Sequence, residues 1–218
     1  MFLKRNLILT IYFSLSFHSL FPNSILKQIP ETTSQVLLVT HSQDTEETYL
    51  EVLELVLDEW KVVKPLISVS IGKSGLIEAR KKREGDGKTP IGFYPIERAY
   101  GFEEFPNFRI NYTKLKEDDL WIDDPKSKFY NQQTSLKKSK LKKHRLSESR
   151  NIYQLFLVIE HNTKRPIPYH GSMLFLHPWE ATNGPTSGCI GLEFQELKEI
   201  AEWLDPKQKP YLVIIDKE

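Results

Sequence analysis

The chain has 218 residues, 39% hydrophobic and 27% charged, enough apolar surface for one large globular domain or two small ones. Lys plus Arg number 30 against 29 Asp plus Glu, so no global charge draws the chain towards nucleic acid. Cys189 is the single cysteine, which excludes an intrachain disulfide and leaves a Cys/His zinc set without its second thiol.

In chain order, "MFLKR" ahead of "NLILTIYFSLSFHSLF" reads as the basic and apolar parts of a secretory signal over residues 1–24. The run is shorter than the roughly 20 apolar residues of a membrane span, and it lacks an A-x-A cleavage site. A cleaved signal, an uncleaved N-terminal anchor and a buried N-terminal helix are the three readings; export to the periplasm or cell envelope is the preferred one. No cysteine near residue 20 offers a site for lipid attachment. Residues 25–34 read as a polar linker and 35–218 as one folded domain.

"QVLLVT" (35–40) reads as a strand, and residues 48–72 as two strands with a turn near Asp58-Glu59. The glycine-rich stretch 72–92 reads as loop, and "GFYPIERAYG" (92–101) as strand. The Lys- and Ser-rich stretch 134–150, including the basic run from Lys137 to Arg145, reads as a solvated insertion. "IYQLFLVIEHN" (152–162) and "SMLFLH" (172–177) read as two further strands. "EFQELKEIAEWL" (193–204) is the clear amphipathic helix, with Phe194, Leu197, Ile200, Ala201 and Leu204 on one stripe and Asp205-Pro206 ending it. "PYLVIID" (210–216) is a closing strand. The expected fold is mainly β, a sandwich or mixed sheet with one amphipathic helix after the cysteine turn.

Chemistry concentrates at "PTSGCIGL" (185–192). Gly188 and Gly191 frame Cys189 and permit backbone shapes closed to other residues. The sequence predicts a thiol facing solvent, with the amides of Thr186, Ser187 and Gly188 free to bind an oxyanion. A thiol of pKa about 8.5 is only about 3% ionised at pH 7, so it needs a base. His177 ends the run "MLFL", which would fix it, and is preferred; His170, in "PYHGS", is the rival. No HExxH is present, Asp123-Asp124 fits a turn better than a metal site, and Lys88 lacks a P-loop around it, so neither metal, cofactor nor nucleotide is expected.

"HPWEATNGPTSGCIGL" and "KKREGDGKTPIGFYPI", in order with "WIDDPKSKFYN", resemble the L,D-transpeptidase (YkuD-type) family of bacterial cell-wall enzymes over about residues 35–216. The resemblance implies a peptidoglycan stem peptide as partner. Cys189 would attack the carbonyl between the third, diamino-acid residue and the terminal D-Ala of a stem tetrapeptide, and a second stem's amine would take the acyl group in a 3–3 crosslink. With water as acceptor the outcome is L,D-carboxypeptidase activity, and a wall-binding module without catalysis is the third reading. Many members carry His at the position of Ser187 and Arg at that of Gly191. Lys88 is the candidate to replace that arginine as a contact for a stem carboxylate, and His170 and Trp179 are further candidate substrate contacts.

Overall fold

The computed structural model describes residues 23–137 and 146–217. The segment read as a signal lies outside the described residues except for its last two positions, and so does the basic run from residue 138 to 145. Among the described residues no helix is long and apolar enough to cross a membrane.

Two mixed sheets carry the domain. The larger orders β3 (Glu59–Val62), β2 (Glu47–Val56), β1 (Gln35–Ser42), β14 (Tyr211–Lys217), β6 (Thr89–Pro95) and β5 (Leu76–Glu78), with β4 (Ile67–Ser68) also on β2. The second orders β13 (Ile190–Leu192), β12 (Phe175–Pro178), β11 (Leu155–Val158), β7 (Arg98–Gly101) and β8 (Asn111–Lys114). A two-stranded ribbon pairs β9 (Asp119–Trp121) with β10 (Gln133–Ser135). The helices are α1 (Asn23–Leu26), α2 (Arg150–Tyr153) and the amphipathic α3 (Phe194–Trp203).

The side-chain period of two sorts residues between layers. Leu37, Val39, Leu50 and Val52 of the larger sheet meet Leu155, Leu157, Leu176 and Ile190 of the second, and α3 adds Leu197, Ile200 and Ala201 to the same core. The alternate residues of the second sheet, Phe156, Val158 and Phe175, face the other way into a separate cluster with Tyr100, Trp121, Leu146 and Cys189. This sheet is therefore buried on both faces, which explains the unbroken apolar run Leu155-Phe156-Leu157-Val158. On the outer face of the larger sheet Val36, Leu38, Leu53 and Val213 lie under Leu26 and Ile29, from the stretch read as a linker.

Of the two strands expected over 48–72 the first is β2, and the second is cut to β3 and, beyond Pro65, the two-residue β4. β2 and β3 turn at Leu57-Asp58, both left-handed (φ 52° and 63°), as a two-residue hairpin turn demands. Three further expectations need correction. The loop 72–92 contains β5 and the start of β6; three residues are too few to show a period. "GFYPIERAYG" is two strands in different sheets, broken after Pro95. The strand expected over 152–162 is cut to four residues, because Arg150 to Tyr153 form a helical turn that sets Tyr153 against Phe156 and Phe175. Thr134 and Leu146, from the stretch read as solvated, are buried.

Candidate active site

The cysteine turn is held from three sides. Thr186 Oγ1 accepts the Gly188 amide (3.1 Å) and donates to the Cys189 carbonyl (2.7 Å), and the Thr186 backbone bonds Ile71 and Lys73. Thr89 Oγ1, from the "EGDGKTP" loop, accepts the Gly72 amide and donates to the Gly188 carbonyl, both at 2.9 Å. Gly188 is buried at φ +133°, where a β-carbon would stand 2.8 Å from the Lys88 carbonyl oxygen, so no other residue fits.

Cys189 is only 9% exposed, and its Sγ donates to the Met173 carbonyl at 3.2 Å. This corrects the expectation of a solvent-facing thiol: a strand, β13, stands between the turn and α3, and the alternation along it sends Cys189 into the aromatic cluster of the second sheet. Burial pushes the thiol up to about 11, opposed by the Phe175 amide at the sulfur and the charge of Lys82. Iodoacetamide labelling should therefore climb about tenfold per pH unit above pH 7 and level off only near pH 11. A plateau near pH 8 would refute this resting arrangement.

His177 is buried on β12, and its Nδ1 donates to the Pro178 carbonyl at 2.8 Å. Burial holds its pKa below the usual value, with the Pro178 bond and Glu180 opposing. The register pairs His177 with Gly191 and Leu176 with Ile190. Cys189 is thus one step diagonal from His177 on the same sheet face. The Tyr153 ring stacks edge-on against His177 at 6.1 Å, and its phenol, raised mainly by burial, also feels Cys189. His170 is half-buried; its carbonyl accepts from His161 Nε2 at 2.9 Å, and its ring has no hydrogen bond among the described residues.

The other candidates fall as follows. Ser187 is exposed. The Thr186 and Gly188 amides, expected to be free, are taken by the Ile71 carbonyl and by Thr186 Oγ1; among the described residues the Cys189 amide has no acceptor. Lys88 is half-buried beside the turn, its amide on Asp86 Oδ1. Trp179 donates from Nε1 to Ser70 Oγ at 2.9 Å, and a β-carbon on Gly191 would come within 2.6 Å of both Ser70 Oγ and Trp179 Cδ1. Trp179 thus fills the space that a side chain at 191 would need. Gly191→Ala should destabilise the fold by about 1–3 kcal/mol in urea unfolding, and the same substitution should cost clearly less in a Trp179→Ala background. Additive losses would rule out the steric account.

Four residues escaped the sequence reading. Asn131 Oδ1 accepts the Trp121 indole N–H and the Met173 amide, both at 3.1 Å, and so aims the carbonyl that receives Sγ. Glu84 accepts from Tyr130 and from Ser172 Oγ. Lys82 is buried and paired with Asp86. His161 lies close to Lys82, its pKa lowered mainly by burial. Only the "EGDGKTP" and "WIDDPKSKFYN" motifs pointed this way. A groove of about 440 Å³ runs along the turn, lined by Glu47, Ser70, Gly72, Lys73, Asn183 and Pro185 among others, and residues 84–89 do not line it. Among the described residues no cluster of three or more His, Cys, Asp or Glu is placed to hold a metal ion.

Compared with known proteins, the fold is similar to the helical cell shape determining protein Pgp2 (K307A mutant) from Campylobacter jejuni, at 16% identity and TM-score 0.45, covering 89% of this chain and 53% of that one. It is similar to L,D-transpeptidase 3 from Mycobacterium tuberculosis at 11% identity and TM-score 0.39, covering 83% and 61%. A third similarity is to the L,D-transpeptidase (residues 123-326) from Xylanimonas cellulosilytica, at 13% identity and TM-score 0.35, covering 85% and 63%. The chain spans between about half and five-eighths of these structures' length. A search of curated proteins gave no match. Residues 44–215, most of the chain and all of the cysteine turn, match the L,D-transpeptidase catalytic domain, and the chain belongs to that family, YkuD.

Proposed function

We propose that this chain is an exported, cysteine-dependent L,D-transpeptidase of the cell envelope that acylates Cys189 with a peptidoglycan stem tetrapeptide. The observation that carries the reading is a glycine-framed thiol and a strand-end histidine on one face of one sheet. Export rests on "MFLKR" and the apolar run behind it.

His177 donates from Nδ1, so in its neutral ring Nε2 holds the free lone pair, and burial favours that neutral form. As the sulfur attacks the stem carbonyl, its proton passes to Nε2 and an electron pair moves onto the carbonyl oxygen. The Cys189 amide is the donor best placed to receive that oxyanion. Collapse breaks the C–N bond, D-Ala leaves with the proton from His177, and the thioester remains. A second stem's amine then attacks, its proton goes to His177, and the sulfur departs to give the 3–3 crosslink. Water in place of the amine gives carboxypeptidase product.

The test is mass spectrometry of tetrapeptide muropeptides after incubation with the purified chain. Loss of terminal D-Ala together with dimer formation is expected, whereas tripeptide without dimer would shift the assignment to the hydrolase. For the base, His177→Ala should abolish turnover while His170→Ala retains it. The reverse pattern would make His170 the base.

A further inference from the structure

Among the described residues Lys82 is the lysine that the fold takes out of water. Its side chain is 3% exposed, whereas lysines are almost never fully buried unless paired. Its stem runs under Gly171, where a β-carbon would stand 3.0 Å from Cγ and 3.1 Å from Cε. The ammonium reaches the far side of the cysteine turn: a β-carbon on Gly188 would be 3.5 Å from Nζ. It donates to Asp86 and, at 3.2 Å, to the Arg83 carbonyl. Asp86 is fixed in turn, since Oδ2 accepts the Arg83 amide (2.8 Å) and Oδ1 the Lys88 amide (2.9 Å). Glu84 ties the same loop to Ser172 and, through its own amide, to the Tyr169 carbonyl. The loop thus wedges one ammonium between the Tyr169–Met173 segment and the Gly188-Cys189 turn.

A buried ion pair is weak grounds for stability, because well-packed apolar residues of the same volume often serve as well or better. The position of this pair suggests another use. We propose that Lys82 is a positioning residue of the active centre, an ammonium buried behind the cysteine turn whose charge steadies the thiolate that the reaction must generate. Asp86 aims it and tempers it. Among the described residues the groups that act on the sulfur are Lys82 from this loop, Tyr153 from α2 and the Phe175 amide from β12, with His177 diagonal to it across the β12–β13 pair. Tyr153 and a neutral His177 bring no positive charge, so Lys82 is the cation among them. The thiol feels it as a lowering influence, and so does His161, which helps to keep that ring neutral. The inference rests on Cys189 being the nucleophile, so the test reads the thiol itself as well as turnover.

Iodoacetamide labelling of Cys189 in the purified full chain would be followed from pH 6 to 11 for the wild type, Lys82→Met, Lys82→Arg and Asp86→Asn, with circular dichroism to establish folding. Lys82→Met keeps the stem and removes the charge. It should lower the rate roughly tenfold at pH 8 and at every pH of the scan, because the midpoint moves up beyond the range followed. Lys82→Arg should recover most of that rate. Asp86→Asn leaves the ammonium unopposed and should move the midpoint the other way, raising the rate several-fold. Opposite shifts are the signature that a mere clamp would not give. Equal slowing at every pH in both variants, or an unmoved midpoint, would overturn the proposal. If Lys82→Met does not fold, the direction of the Asp86→Asn shift decides alone. Opposite shifts in a chain that turns over no stem peptide would leave the role of Lys82 standing and refute the transpeptidase reading.

Discussion

If the proposed function holds, Cys189→Ala should give a folded protein that no longer releases D-Ala from stem tetrapeptides. The loss should reach roughly a millionfold or the assay floor, as when a covalent nucleophile is removed from a residue set that acts as a unit. The fold should barely notice at neutral pH: the change removes one sulfur and its bond to the Met173 carbonyl, about 1 kcal/mol. The pH dependence of stability should change as well. An unfolded thiol ionises near 8.5 and the folded one near 11. The wild type therefore has the full benefit of its neutral buried thiol below about pH 8.5 and loses it as pH rises towards 11. Cys189→Ala should remove that decline. Urea midpoints at pH 7, 9 and 10.5 for both proteins test it, and stem turnover by the folded variant would place the nucleophile elsewhere.

The second large effect is on stability. Trp121 is fully buried, and its ring meets Tyr100 (5.6 Å), Phe156 (6.2 Å) and Phe175 (4.9 Å) edge-on. Trp121→Ala should cost about 3–5 kcal/mol. Part of the damage is chemical. The indole N–H fixes the same Asn131 oxygen that receives the Met173 amide, and the Met173 carbonyl holds the thiol. Removing the ring loosens this chain of contacts, so Cys189 labelling should quicken while the urea midpoint falls. A loss below 1 kcal/mol with unchanged labelling would mean that the aromatic layer does not support the nucleophile.

How far the sequence revealed this depended on the range of each signal. α3 was legible because five apolar residues repeat at helical spacing and Glu193 caps the first turn, accepting the Glu196 amide. β1 and β14 were legible as β-branched runs that pair in parallel at the centre of the larger sheet. β5 was not, because three residues show no period, and α2 was hidden in an apolar stretch that reads equally well as strand. The cysteine turn was recognisable from its glycines, but its burial was not: the cover comes from Tyr100, Trp121, Leu146 and Phe156, far away in the chain. Lys82 sits in "ARKKR", a local cluster of basic residues with nothing in it to mark one lysine for burial. Only the approach of Gly171 and Gly188 makes it a buried cation. His161 was passed over because a lone histidine at a strand end has no local mark of the partners that later surround it.

The burial of Cys189 bears on how the protein withstands peroxide. Oxidation to a sulfenic acid starts from an exposed thiolate. At rest this sulfur is protonated, hydrogen-bonded to a main-chain oxygen and roofed by aromatic rings. It has no second cysteine to rescue a sulfenic acid as a disulfide. Concealment is then its protection: the sulfur meets oxidant only in the brief ionised state, and a chain idle between substrates should outlast hydrogen peroxide that inactivates an exposed low-pKa thiol.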